Sequence, residues 1–107
     1  MSEWLRPGDV DAFLLGATLL GSGGGGDAGV WSHQVRASLP TAGMELLSLD
    51  DARDRGLGRV AVVGMVGATS VLVEKLPHGG EIAQAVGASR RWNGLAVDAL
   101  MPVEAAG

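Results

Sequence analysis

Residues 21 to 27 read Gly21-Ser22-Gly23-Gly24-Gly25-Gly26-Asp27, a stretch that forbids regular structure and therefore divides the chain. Glycine contributes no side chain to a core and costs about 0.5–1 kcal/mol relative to alanine inside a helix or strand. Such a run must return something other than stability. Because it follows an apolar helical pattern, it reads as a turn between two helices. Its bare N–H groups can approach a ligand or another strand more closely than any side chain would allow.

At 107 residues the chain is long enough for one domain, and a domain of that size buries only roughly 60–65% of its unfolded surface. With 47% hydrophobic and 19% charged residues it is too apolar for a disordered tail. It also lacks the run of about 18 apolar residues that a membrane-spanning helix needs. The formal charge is −4, and the basic residues form only the pairs Arg53/Arg55 and Arg90/Arg91. No basic stripe is available to neutralise a phosphate backbone, so nucleic acid is not an expected partner. The absence of cysteine excludes disulfides, thiolate metal sites and Cys nucleophiles. His33 and His78 lie far apart in sequence, so neither a metal nor a cofactor is expected. The start, Met1-Ser2-Glu3-Trp4-Leu5-Arg6, resembles no leader peptide, and cytoplasmic residence is the expectation.

Asp9 is placed to cap a first helix, with Val10, Phe13, Leu14, Ala17 and Leu20 at helical spacing and an end at Gly21. Asp27 caps a second helix through Val30, Trp31, Val35 and Leu39, closed by Pro40 and Gly43. Met44 to Leu49 suits a strand, and Asp50-Asp51 begin a polar segment of a helical turn or two that runs to Gly58. Val60 to Val66 is apolar on nearly every residue, as expected for a central strand covered on both faces. Gly67 to Ser70 breaks that run, Val71-Leu72-Val73 is apolar again, and Glu74 to Gly80 reads as a loop. A helix from Glu81 to Trp92 stops at Asn93-Gly94, and Leu95 to Met101 forms the last strand. The order implies a single α/β domain over residues 1–107. Its small parallel or mixed sheet has flanking helices and is incomplete at the carboxy-terminal edge.

Gly21-x-Gly23-x-x-Gly26 satisfies the dinucleotide-binding spacing in form only, because that fingerprint needs a strand before the glycines and a helix precedes them here. The phosphate-loop pattern fails, since no Lys-Ser or Lys-Thr follows. What remains is a backbone nest for an anionic or carbonyl group built by Gly23, Gly24, Gly25 and Gly26. Asp27 at its exit is either a ligand-facing acid or a cap, and a plain flexible turn is the competing reading. Glu74 and Lys75 follow an apolar run and are placed at the mouth of a strand, where open α/β sheets bind ligands. A solvated dipeptide explains them equally well. Glu104 follows the last strand and a proline, again where catalytic groups collect, or else serves as a terminal solubilising charge. His78 beside two glycines suits a proton carrier, though a lone surface histidine is commoner.

Taken together, the blocks Leu19 to Asp27, Val63 to Ala68, Val71 to Pro77 and Val97 to Glu104 resemble the amino-terminal domain of the S-methyl-thiohydantoin desulfurase-like family. They occur in that family's order and cover nearly the whole chain. After Glu104 the family usually continues with a pair of glycines and a polar residue, where this chain has Ala105-Ala106-Gly107. The resemblance implies the amino-terminal part of a larger two-part protein, found alongside hydantoinase and oxoprolinase-type subunits. It implies hydrolase-like chemistry on a cyclic amide such as an S-methyl thiohydantoin, by water addition at the carbon bearing sulfur and loss of a thiol. Position within the matched blocks then assigns the glycine turn to the ring, Glu74 or Glu104 to the base and Lys75 to charge stabilisation. A non-catalytic module binding a small molecule or partner, or an inactive truncated product, is the alternative expectation.

Overall fold

The computed structural model describes residues 2–24, 26–75 and 77–106. The first helix, α1 (Val10–Gly21), carries Val10, Leu14, Ala17 and Gly21 along one stripe. Val10 is 1% exposed, and Leu14 packs on a small cluster of Ala17, Ala28 and Ala106. The helix is apolar almost all round, so Leu15, Leu19 and Leu20 remain at the surface. Asp9 does not cap it as expected: its backbone is already helical, and its carboxylate accepts the Arg6 N–H at 3.0 Å. The acid thus closes a preceding 3-10 turn over Pro7–Asp9.

Ser22 ends α1 in the left-handed region at φ 49°, with its N–H donating to Thr18 O and its hydroxyl to Leu19 O. Gly23 continues the turn at φ 80°. The second helix, α2 (Ala28–Ser38), begins at Asp27, whose carboxylate accepts the Gly29 N–H at 2.9 Å. Asp27 is therefore a cap. The α1–α2 pair is joined at its surface by an ion pair between Arg36 and Asp11.

The strands form two separate ladders rather than one sheet. Strand β1 (Glu3–Leu5) pairs antiparallel with β2 (Met44–Leu46), matching Leu5 with Met44. The turn into β2 passes through Gly43, buried at φ +92°, where a β-carbon would stand 2.7 Å from Leu5 O. Helix α3 (Leu49–Asp54) is capped by Ser48, reciprocally with Asp51, and holds Asp50 and Asp51 in its first turn. Ser48 serves as the cap because its hydroxyl accepts the Asp51 N–H while the Asp51 carboxylate returns to the Ser48 N–H, satisfying two donors at once. Arg55, just after α3, holds Glu45 on β2 with two bonds at 3.0 and 2.7 Å.

Strand β3 (Val60–Val63) pairs in parallel with β4 (Ala99–Pro102), from Val60 opposite Ala99 to Val63 opposite Pro102. The β3 strand is shorter than the apolar run that contains it and is not central. Ala61 and Val63 are partly covered, whereas Val60 and Val62 are exposed. Gly67, at φ 143°, lies between that run and helix α4 (Thr69–Glu74), which occupies the stretch expected to be extended. The Val71 N–H donates to Ala68 O, closing the first helical turn there. Glu81 opens α5 (Glu81–Asn93), its carboxylate accepting the N–H groups of His78 at 2.5 Å and Gly79 at 2.9 Å. Gly94 stops the helix at φ 71°, as its sequence implies. Gln34 of α2 ties this region to the helical pair, its Nε2 donating to Gly79 O at 2.7 Å.

Candidate functional site

The glycine turn lines a cleft of about 240 Å³ together with the start of α2 and the last described residues of the chain. Its walls are Thr18, Gly23, Gly24, Gly26, Asp27, Ala28 and Ala106. Thr18 is held by its hydroxyl, which donates to Leu14 O at 2.9 Å. Ala106 is 7% exposed, and a β-carbon placed on Gly21 would meet its Cβ at 3.2 Å. Gly21 is small because the chain passes that close.

Backbone donors give the cleft its chemistry. The Gly24 N–H is used internally, donating to Gly21 O at 2.8 Å, and the Ser22 N–H bonds Thr18 O. Among the described residues, the N–H groups of Gly23, Gly26, Asp27 and Ala28 have no protein acceptor. Ala28 is the first residue of α2, whose leading N–H groups carry the positive end of the helix dipole. The set suits a carbonyl or anionic oxygen. Gly25 lies outside the described residues.

The other expected site residues divide by position. Glu104 is half-buried two residues before the cleft wall Ala106, with Oε1 3.8 Å from where a Gly64 β-carbon would sit. A methyl at Gly64 would overlap Val103 Cγ1, so glycine there lets β4 run on beside the end of β3. Glu104 therefore stands at the carboxyl ends of two parallel strands, the position at which α/β sheets place ligands. Glu74 and Lys75 do not stand at a strand mouth. Glu74 is the last residue of α4 and Lys75 its C-cap; both are exposed, and neither lines the cleft. The helical turn explains the difference, because it carries the apolar run away from the extended path a strand would follow.

Thr18, Ala28 and Ala106 were not singled out from sequence. Thr18 carries a signal in retrospect, standing one helical turn before the glycines on the helix that leads into them. Ala28 and Ala106 carry none, since the two alanines are joined only by tertiary packing. Trp31 Nε1 is buried without a hydrogen-bond partner among the described residues, an arrangement that costs about 1–3 kcal/mol. Among the described residues no cluster of His, Asp or Glu could hold a metal ion. No described helix is long and apolar enough to cross a membrane.

These features define a class: a small α/β domain in which a polyglycine turn between two helices lines a cleft of about 240 Å³. Within that class, residues 8–107 match the S-Me-THD-like, N-terminal domain family, and the chain belongs to it. No curated protein and no solved structure matches the chain.

Proposed function

We propose that this domain binds a small cyclic amide in the glycine-turn cleft and forms the amino-terminal portion of a hydrolase or desulfurase acting on S-methyl thiohydantoins. The observation that carries the reading is a cleft lined by Gly23, Gly26, Asp27, Ala28 and Ala106, in which the N–H groups of the first four have no acceptor among the described residues. These donors would hold a ring carbonyl and the negative charge that grows on it as water adds to the carbon bearing sulfur. Glu104 is the base assigned to that water: it takes a proton as the C–O bond forms and returns it to the sulfur as the C–S bond breaks and the thiol leaves. Asp27 is spent on the cap of α2 and is not assigned chemistry. None of Glu74, Lys75 and Glu104 is a wall of the cleft; Glu104 ranks first because it is half-buried at the carboxyl ends of β3 and β4, two residues from the wall residue Ala106, whereas Glu74 and Lys75 are exposed at the end of α4. A second part of the same protein, or a separate subunit of the hydantoinase or oxoprolinase type, belongs to the same proposal as partner.

A second reading is favoured by how few side chains are buried: the domain is a non-catalytic module that binds a ligand or partner. One experiment separates the two. Hydantoin, a thiohydantoin and its S-methyl derivative are titrated against the chain while its melting temperature is followed, since a ligand of the folded state raises it by RT ln(1 + [L]/Kd). Turnover of the S-methyl compound is then measured with the companion part present, for the unaltered chain and for Glu104→Gln. Binding with no turnover leaves the module reading, and full turnover by Glu104→Gln discards the base assignment. No thermal shift with any of the three compounds removes the cleft from consideration.

A further inference from the structure

A glycine at an ordinary backbone angle has no conformational need to be glycine, so its missing side chain marks a place where something else takes the room. Two glycines stand out on this ground. Gly21 is the last residue of α1, but Ser22 and not Gly21 takes the left-handed angle that ends the helix. Gly64 follows β3 and is likewise outside the left-handed region. A β-carbon on Gly21 would meet Ala106 Cβ at 3.2 Å, and one on Gly64 would overlap Val103 Cγ1. The other described glycines at ordinary angles would place a β-carbon in open space or against residues no more than four positions away.

Both long-range contacts fall on the same short stretch, Val103 to Ala106. Its reach is at most about 10–11 Å, so it ties the end of β3 closely to the end of α1. At the near end the Val103 N–H donates to Val63 O at 2.9 Å, and at the far end Ala106 packs with Ala17 and Ala28. Among the described residues no hydrogen bond holds Glu104, Ala105 or Ala106. Fit against the two glycines, rather than hydrogen bonding, therefore decides where the stretch lies.

We infer that Val103–Ala106 is a strap that carries Glu104 and the cleft wall as one unit, with Gly64 and Gly21 as positioning residues that seat its two ends. Neither glycine lines the cleft. Gly64 acts through Val103 and Glu104, and Gly21 acts through Ala106. The α-carbons of Glu104 and Ala106 are at most about 7 Å apart, so a displacement imposed at one seat reaches the other. The use of Glu104 as a base rests on the function proposed above, whereas the seating of the strap does not.

NMR spectra of the full chain without ligand read the seating. Gly64→Ala should move the Ala106 methyl signal, and Gly21→Val should move the Glu104 amide signal, while Leu5 and Met44 in the β1–β2 ladder stay in place. Adding Val103→Ala to Gly64→Ala removes the overlap and should return the Ala106 signal. Gly58→Ala, at a glycine with open space around it, should move neither. An Ala106 methyl indifferent to Gly64→Ala, or a Glu104 amide indifferent to Gly21→Val, overturns the strap. Should either variant fail to fold by circular dichroism, nuclear Overhauser contacts in the unaltered protein decide. Ala106 methyl to Gly21 together with Val103 methyl to Gly64 supports the strap, and the absence of either refutes it. Turnover of an S-methyl thiohydantoin with the companion part present then reads the positioning. Gly64→Ala should lower kcat by up to about a hundredfold and shrink the thermal shift given by the same compound, and Val103→Ala in the same chain should recover both. Displaced strap signals with full turnover would refute the positioning role. No thermal shift and no turnover in the unaltered chain would instead remove the proposed function, and the spectra alone would then decide the strap.

Discussion

Replacing Asp27 separates the two roles that an acid at the exit of the glycine turn could play. Its Oδ1 accepts the Gly29 N–H at 2.9 Å in an exposed position, and the removal of such a cap costs about 1 kcal/mol. Asp27→Ala should therefore lower Tm by about 4–8 °C in a domain of this size. Asp27→Asn keeps an acceptor oxygen with the same reach and should stay within about 0.5 kcal/mol of the unaltered chain. If the ligand is held by amides and not by this carboxylate, Asp27→Asn also binds hydantoins with unchanged affinity. Thermal melting by circular dichroism reads the first pair of numbers and calorimetric titration the second. An Asp27→Asn variant as unstable as Asp27→Ala would refute the capping argument. One that keeps its Tm but loses the ligand would show that the charge itself is used, and the amide-only account of the cleft would fall.

Two further substitutions probe the frame around the cleft. Gly43→Ala forces a β-carbon to φ +92° and 2.7 Å from a backbone oxygen of β1, so the midpoint of urea unfolding should fall by the equivalent of about 2–3 kcal/mol; a loss under about 0.5 kcal/mol would mean that the β1–β2 ladder contributes little. The Glu81 carboxyl is held below its usual 4.5, chiefly by the His78 N–H and further by the Glu81 and Gly79 N–H groups. A depressed carboxylate lends stability that is complete above its unfolded pKa and is lost as pH falls through the lower folded value. The amide signals of His78 and Gly79 should accordingly titrate together with a midpoint below 4.5, and Glu81→Gln should abolish that titration. A midpoint at or above the usual value would contradict the bonding seen at the start of α5.

The helices were legible because their ends are written in local chemistry. Asp27 beside the glycines and Gly94 after Asn93 act within one turn of chain, and both do in the fold what their residue types imply. The strands were legible only as apolar runs. Nothing within Glu3-Trp4-Leu5 announces β1, whose partner β2 is found across two intervening helices. The stretch around Val71 and Val73 has the β-branched character of a strand, yet it forms α4 after the turn at Gly67. Strand propensity reflects packing against neighbours, and among the described residues no strand pairs with this stretch to supply it. For the site, the turn was visible from its glycines, whereas the wall opposite depends on which distant alanine arrives.

Ala106 closes a cleft whose floor was laid down in the first quarter of the sequence. Bringing those ends together carries the entropy of a long loop, so this contact belongs among the slow, non-local steps of folding. A chain that has formed α1, the glycine turn and α2 but has not yet docked its tail possesses the donors without the enclosure. Affinity for the proposed ligand should thus emerge last on the folding pathway, after helical signals are complete, and refolding followed by capture of that ligand should lag behind refolding followed by ellipticity.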